Sequence, residues 1–273
     1  MLKTRILTAI CLLPLVLGGL FLPHFYFMLL IALIVFLSGL EYARMIWPSR
    51  ALIPCTLFLA SLLILYGIGQ YMPVCPLLVG ALFWLFAAVW VCVFPRGQVF
   101  WSGSLGLKVL TGLSLIVPAG VGLTALQATP QGWRWVLMVL LIVWSADIGA
   151  YFAGRSLGKR LLAPQVSPKK TRAGVVGGFI LVCLVMTLYF YALGFKTPLL
   201  LNWLGLSAIG FVCSVFGDLV ESAIKRCVGV KDSGNLLPGH GGLLDRIDSL
   251  LSTTPYVALL LFYTPLTFLM YSQ

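Results

Sequence analysis

Charged side chains are scarce in this chain. Asp, Glu, Lys and Arg together make up 9% of its 273 residues, and only seven residues are acidic. Apolar residues account for 61% of the sequence, and the mean hydropathy is +1.07. A soluble domain of this size carries far more polar surface. The scarcity of charge therefore excludes a soluble protein and favours a polytopic membrane protein.

The sequence also lacks the patterns of a thiolate metal site or a nucleic-acid-binding surface. Its seven cysteines are scattered, with no CxxC pair and no histidine at ligand spacing. The formal net charge is +11, but the cations stand between long apolar runs and not on a basic face with interleaved aromatic residues. We therefore expect no nucleic-acid partner, and we regard the cysteines as small apolar residues.

Nine apolar runs divide the chain, and each is close to the roughly 20 residues that cross a bilayer as a helix. They cover about residues 6–22, 26–40, 52–68, 76–94, 107–126, 135–153, 175–195, 199–220 and 250–271. No small-residue cleavage site appears between the first run and Pro23, so we expect an uncleaved span. The sequence predicts an all-α polytopic integral membrane protein with about nine transmembrane helices.

The distribution of cations predicts the orientation of these helices. If the N-terminus is cytoplasmic, every Lys and Arg except Arg134 and Lys196 falls on the cytoplasmic side. The polar segments 154–174 and 221–249 lie on that side as well. We therefore expect a protein of the bacterial inner membrane, with its polar site at the cytoplasmic end of the helix bundle.

A carboxylate interrupts the sixth apolar run. Asp147 and Tyr151 are four residues apart and therefore share one face of a helix. A lone carboxylate in the membrane costs several kcal/mol unless it is paired or hydrated. We expect Asp147 to face the protein interior or a water-filled cavity; the alternative is a helix-capping or snorkelling group.

A basic block follows this helix. Ser167, Lys169, Lys170 and Thr171 stand just before a glycine-rich helix start. Hydroxyls, ammonium groups and free backbone N–H groups at a helix start favour an anion site. The simpler interpretation is a basic loop on the cytoplasmic side of the membrane.

The densest polar stretch runs from Asp218 to Asp248 and holds five of the seven acidic residues. At its start, helical spacing places five polar residues on one stripe of a helix: Asp218, Glu221, Ser222, Lys225 and Arg226. Lys225 can pair with Glu221, whereas Asp218 has no cation at that spacing and is the residue most available for a metal. The alternative is a purely structural cluster of salt bridges.

Glycines surround His240 further along, and Asp245 and Asp248 flank Arg246 at the start of the next helix. Glycine lets the backbone approach a ligand closely. Carboxylates from two elements, with Lys and Arg around them, suit Mg²⁺ and nucleotide phosphates. His240 has two open roles, either as a donor to a phosphate oxygen or as a brace for the glycine loop.

The run SAIKRCVGVKDSGNLLPGHGGLLDRID, Ser222 to Asp248, resembles the signature of the phosphatidate cytidylyltransferases, also called CDP-diglyceride synthetases. The resemblance extends to DIGAYFAGRSLGK from Asp147, to the SPKKT block from Ser167, to the nine spans and to the chain length, and so covers the whole chain. One departure is Arg172-Ala173, where the family has Trp followed by Glu or Gln. No role is carried over to that pair.

The resemblance implies a reaction and a cofactor. The reaction joins the cytidylyl group of CTP to phosphatidic acid and yields CDP-diacylglycerol and pyrophosphate. The implied cofactor is Mg²⁺, either as two metal ions or with a monovalent cation. Asp218 and Asp245 match the metal positions of the family. The implied organisation is one transmembrane domain over 1–273, with N-terminal spans in about 6–126 and a catalytic half in about 135–273.

The polar residues fall into two groups under this resemblance. The expected catalytic group is Asp218, Asp245, Asp248, Lys225, Arg226 and His240. The group expected to bind CTP and the lipid phosphate is Ser167, Lys169, Lys170, Thr171, Ser222, Lys231, Asp232, Arg246, Asp147 and Tyr151.

The expected partners are CTP, phosphatidic acid and the lipid bilayer, and a homo-oligomer is compatible with the sequence. One alternative is a CTP-dependent enzyme with another lipid acceptor, such as an isoprenoid alcohol or an ether lipid. The other is an ion- or proton-coupled transporter that uses Asp147, Asp218 and Glu221 as relay groups. A transporter would carry polar residues along a path through the membrane, whereas here nearly all of them lie at one side of the helix bundle. The sequence also shows no internal repeat, which many transporters contain.

Overall fold

The apolar runs fold into long helices. The computed structural model describes residues 13–47, 52–98, 101, 103–236, 239 and 241–263. Within these residues a helical segment at 13–19 precedes eight long helices. The long helices are α1 (His24–Ile46), α2 (Leu52–Tyr71), α3 (Val74–Cys92), α4 (Leu105–Gln127), α5 (Trp133–Leu157), α6 (Arg172–Ala192), α7 (Leu200–Cys227) and α8 (Leu244–Tyr263).

Seven helices in the described part of the chain are long and apolar enough to cross a membrane. They are α1 to α6 and the helix Thr197–Cys227, in which the short 3₁₀ turn Thr197–Leu199 leads into α7. A helix satisfies its own backbone N–H and C=O groups, which is the condition for crossing hydrocarbon. The chain is therefore an all-α polytopic integral membrane protein, as predicted.

The predicted number of nine spans extends beyond these seven. The first predicted span, 6–22, lies partly outside the described residues, and the last, 250–271, is described only as far as residue 263. Within α8 the apolar part follows a polar first turn, and the helix is not among the seven candidates. The number nine stays a prediction.

A short antiparallel hairpin joins α5 to α6. Strand β1 (Leu161–Ala163) pairs with β2 (Ser167–Thr171), with Leu161 opposite Thr171 and Ala163 opposite Ser167. Strands of three and five residues are too short to show a clear alternation of polar and apolar side chains, so the sequence does not predict them. The hairpin holds the basic block in an extended form beside the bundle.

Helix α4 lies at the centre of the bundle and packs against α1, α2, α3 and α8. Its glycines allow close contact: a Cβ on Gly112 would lie 2.5 Å from the Tyr42 ring of α1. Buried aromatic donors find backbone acceptors in neighbouring helices, since the Tyr42 hydroxyl donates to Lys108 O at 2.7 Å and the Trp84 indole to Leu251 O at 3.1 Å. The N-terminal helices thus pack directly on the helices that carry the polar motifs.

Helices α5 and α6 pack through glycines. A Cβ on Gly149 would lie 2.6 Å from Gly177 O, and one on Gly174 would lie 2.9 Å from Ala150 O. Thr171 caps α6, because its hydroxyl accepts a hydrogen bond from Gly174 N at 3.1 Å. The glycines after the basic block therefore serve helix packing, and β2 is held against α5, α6 and α7.

Candidate functional site

A polar cavity of about 250 Å³ lies between α5, β2, α6 and α7. Polar segments that are far apart in the sequence meet there, as the sequence predicts. The predicted site residues that line it are Asp147, Tyr151, Lys169, Lys170, Thr171 and Asp218. Asp147 is exposed in this cavity, in agreement with the expectation that it faces a polar space rather than lipid.

An ion pair joins the two sides of the cavity. Lys170 Nζ lies 2.5 Å from Asp218 Oδ2, and both side chains are partly exposed, at 24% and 31%. Both lysines of β2 line the cavity, but Lys170 is half-buried and makes the ion pair, whereas Lys169 is exposed. Asp218 Oδ1 also accepts a hydrogen bond from the Ser222 hydroxyl at 3.3 Å. Asp218 has no cation at helical spacing, and it obtains one from β2.

Three carboxylates act on one another at this cavity. Burial, together with the charges of Asp218 and Asp147, raises the pKa of Asp248 to about 8, and the charge of Lys170 acts in the opposite direction. Arg246 interacts electrostatically with Asp147 from the exposed side of α8. Such mutual repulsion makes the cluster favourable for an additional positive charge.

A second polar cluster lies next to the first and is centred on Lys225. Its Nζ is 2.5 Å from Glu221 Oε2 and 2.7 Å from Asp245 Oδ1, so the predicted pair with Glu221 is confirmed. Asp245 Oδ2 accepts hydrogen bonds from Ser233 N at 2.9 Å and from Gly242 N at 2.8 Å. Burial alone would raise the pKa of Asp245, but these hydrogen bonds and Lys225 hold it below its usual range.

Lys225 therefore has a structural role that can be measured. It bridges two carboxylates whose side chains are only 4% and 7% exposed. Removing one partner of a buried pair leaves an uncompensated charge, at a loss of about 3–5 kcal/mol. We expect Lys225→Ala to lower the free energy of unfolding in detergent micelles by about 3 kcal/mol. The exposed Lys231→Ala is the control, and an equal loss in both variants would contradict the bridging role.

The remaining predicted residues lie around these two clusters. Arg226 Nε donates to Val166 O in the hairpin at 3.4 Å, and Ser167 is half-buried in β2. Lys231 and Asp232 are exposed in the loop after α7. His240 lies outside the described residues. Nothing in the structure explains the departure at Arg172-Ala173.

Glu41, a buried carboxylate of α1, is not among the site residues that the sequence predicts. It accepts backbone hydrogen bonds from Leu243 and Leu244 at the start of α8. The sequence contains a signal for it, because Glu41 directly follows the apolar run 26–40, and acidic residues in membrane helices are functional candidates by the same rule that selects Asp147. Its partners lie about 200 residues away in the sequence, so spacing alone does not reveal them.

The carboxylates of the site can supply some, but not all, of the ligands of a hard cation such as Mg²⁺. Among the described residues, no group of three or more His, Cys, Asp or Glu side chains is arranged as a metal cage. Mg²⁺ commonly binds through one or two carboxylates together with substrate phosphates and water, so a full protein cage is not required. Asp218 and Asp248 can supply such carboxylates. Asp245 is less available, because both of its oxygens already accept protein donors.

An apolar groove of about 650 Å³ adjoins the polar cavity. Val175, Phe211 and Val215 line both spaces, so the two are adjacent. The other walls of the groove come from α3, the hairpin and the outer face of α7. A ligand with a charged group and long apolar chains matches this combination.

The chain is similar to known proteins over most of its length. The model of the cytidylyltransferase family matches residues 3–264. A phosphatidate cytidylyltransferase of Pseudomonas aeruginosa is 42% identical over 269 residues, which cover 96% of this chain and 97% of the relative. One of Haemophilus influenzae is 37% identical over 287 residues, covering 96% and 99%. One of Bacillus subtilis is 47% identical over 133 residues, covering 48% of each chain.

Proposed function

Because the chain belongs to the cytidylyltransferase family, we propose that it transfers the cytidylyl group of CTP to phosphatidic acid. The products are CDP-diacylglycerol and pyrophosphate. The observation that carries this proposal is the polar cavity of Asp218 and Lys170 next to an apolar groove. The cavity suits phosphate groups, and the groove suits acyl chains.

The reaction depends on neutralising the negative charge of the phosphate groups more than on proton transfer. A phosphate monoester is already anionic near pH 7, so its oxygen can attack without a strong general base. A bond forms between this oxygen and the α-phosphorus of CTP. The bond from that phosphorus to the oxygen that links it to the β-phosphorus breaks, and pyrophosphate leaves with this oxygen. Lys170 and Lys169 line the cavity and can donate to the phosphate oxygens. Preorganised donors of this kind stabilise charge that develops in the transition state.

Mg²⁺ is the proposed cofactor, as one or two ions or with a monovalent cation. Asp218 is the proposed metal ligand, and Asp248 fits the second position better than Asp245, whose oxygens hold the loop before α8. A bound Mg²⁺ would neutralise charge on the attacking and leaving oxygens. In the structure Lys170 is paired with Asp218, so it must share that carboxylate with the metal or turn to the phosphates.

The proposed location follows from the distribution of charge. We infer nine spans with the N-terminus and the site on the cytoplasmic side of a bacterial inner membrane. The support is the placement of every Lys and Arg except Arg134 and Lys196 on one side. This orientation gives CTP direct access from the cytoplasm, while phosphatidic acid presents its phosphate at the interface.

The groove gives a prediction about acyl chains. Val212 lines it on α7, and Val212→Trp would fill part of the space that we assign to an acyl chain. Each buried CH₂ contributes about 0.8 kcal/mol, so loss of a few contacts should lower kcat/KM for dioleoyl phosphatidate by about tenfold or more. Dihexanoyl phosphatidate should be affected much less. Ile209→Trp, one turn away on the same helix, is the matched control. An equal effect on both lipids would contradict the assignment.

The acceptor is tested by comparing lipids side by side. Purified protein is incubated with CTP, Mg²⁺ and either phosphatidic acid, an isoprenoid alcohol or an ether lipid phosphate, and the liponucleotide product is quantified. We expect phosphatidic acid to give the highest kcat/KM. A higher value for another acceptor would support the alternative enzyme. Ion flux into proteoliposomes without CTP turnover would support the transporter.

A further inference from the structure

We propose that Glu41 is a positioning residue for the reaction, acting from α1 on the first turn of α8. This inference rests on the proposed function. It assigns to the N-terminal half of the chain a role in positioning the residues of the site. Glu41 lies in the last turns of α1 and is only 4% exposed. A carboxylate so deeply buried requires partners, and all those described lie in the loop before α8 or at the start of that helix.

The contacts of Glu41 cap a distant helix. Leu243 N donates to its Oε1 at 3.0 Å, and Leu244 N donates to its Oε2 at 2.8 Å. The first N–H groups of a helix have no acceptor within that helix. A negative charge at a helix N-terminus is also favourable to the helix dipole. Glu41 thus serves as the capping carboxylate of α8, although it belongs to α1.

Ser233 connects Glu41 to the second carboxylate cluster. Its hydroxyl donates to Glu41 Oε2 at 3.2 Å, and its backbone N–H donates to Asp245 Oδ2 at 2.9 Å. One residue of the loop is therefore held by a carboxylate from each half of the chain. Asp245 is in turn held by Lys225 at 2.7 Å.

Two glycines of the signature stretch make room for Glu41. A Cβ on Gly234 would lie 2.6 Å from Glu41 Oε1, and a Cβ on Gly242 would lie 2.5 Å from Glu41 Oε2. Side chains at these positions would push the carboxylate away from its backbone donors. Close packing against Glu41, and at Gly242 also against the Ser233 hydroxyl, thus explains the glycines at 234 and 242.

The first turns of α8 carry the acidic residues of the site. Asp245 lies in the first turn, and Asp248, one turn later, interacts electrostatically with Asp218 of α7. A displacement of about 1 Å at reacting groups can lower a rate by about 100-fold. Fixing the start of α8 therefore fixes the distance between the carboxylates of α7 and α8.

The test compares two substitutions at neighbouring positions of α1. Glu41→Gln keeps the shape but places an NH₂ group against backbone donors. Tyr42→Phe removes a buried hydrogen bond to Lys108 O and does not touch the loop. We expect Glu41→Gln to lower the kcat of folded protein by about tenfold or more, as for other residues that orient site groups. Tyr42→Phe should keep the parental kcat.

A second readout does not depend on activity. Hydrogen–deuterium exchange in detergent should increase at residues 241–247 in Glu41→Gln and stay parental there in Tyr42→Phe. Parental exchange and parental kcat in Glu41→Gln, or an equal loss of kcat in both variants, would overturn the positioning role. If the parent protein has no transferase activity, the proposed function fails. The exchange data still decide whether Glu41 holds the start of α8.

Two further variants test the same role if Glu41→Gln does not fold. Ser233→Ala removes one donor to the same carboxylate and should lower kcat in the same direction. Gly234→Ala should also lower kcat, because the new methyl group would lie against the Glu41 carboxylate. Parental kcat in both Ser233→Ala and Gly234→Ala would contradict the proposal.

Discussion

Asp218→Asn should lower kcat for cytidylyl transfer by at least about 100-fold. The substitution keeps the size of the side chain but removes the charge that pairs with Lys170 and that we assign to Mg²⁺. Loss of one group that stabilises transition-state charge typically lowers kcat by about 100- to 1000-fold. The measurement is the rate of CDP-diacylglycerol formation at saturating CTP and phosphatidic acid, over a range of Mg²⁺ concentrations. The Mg²⁺ concentration that gives half of the maximal rate should also increase.

Two controls make this result specific. Ser207→Ala lies on the same helix, where the serine hydroxyl donates to Trp203 O within α7, and it should keep the parental rate. The thermal stability of Asp218→Asn should stay close to that of the parent, because the pair with Lys170 is partly exposed and contributes little to folding. Parental kcat and parental Mg²⁺ dependence in Asp218→Asn would contradict its role as a metal ligand.

Lys170→Ala should lower kcat/KM for CTP by about 100-fold. Lys170 is the cation that faces Asp218 in the cavity, and it is the candidate to donate to a phosphate oxygen as charge develops. Lys170→Arg keeps the charge but changes its shape from a compact ammonium to a planar fork, so we expect partial activity. The measurement is the initial rate as a function of CTP concentration at fixed phosphatidic acid.

The adjacent lysine provides a matched comparison. Lys169 carries the same charge on the same strand and also lines the cavity, but it is more exposed than Lys170. Lys169→Ala should therefore lower kcat/KM several-fold less than Lys170→Ala. Equal losses would indicate that the hairpin contributes only a general positive potential. That result would support the simpler interpretation of the block as a basic membrane-surface segment.

The sequence predicts those features of this protein that depend on local pattern. Long apolar runs predict helices of membrane-spanning length, and seven are present in the described residues. Spacing by four predicts the pair of Glu221 and Lys225. The cost of a carboxylate inside an apolar helix predicts that Asp147 faces a cavity.

The remaining features depend on tertiary packing. The pair of Lys170 and Asp218 joins a strand to a helix about 50 residues later, and no periodicity encodes that contact. Glu41 reaches α8 only because the helices of the N-terminal half pack against it. The resemblance to the phosphatidate cytidylyltransferases implies a metal at Asp245, whereas the hydrogen bonds of Asp245 to the loop are visible only in the folded protein.

The central claim is that this membrane protein joins a phosphatidate oxygen to the α-phosphorus of CTP. The most direct measurement follows the fate of CTP labelled separately at the α- and γ-phosphates in the presence of phosphatidic acid and Mg²⁺. We expect the α-label in the lipid and an equal amount of γ-label in pyrophosphate, in amounts that depend on the lipid and fall strongly in Asp218→Asn. Failure of the α-label to enter lipid, with identical pyrophosphate release by the parent and Asp218→Asn, would contradict the account.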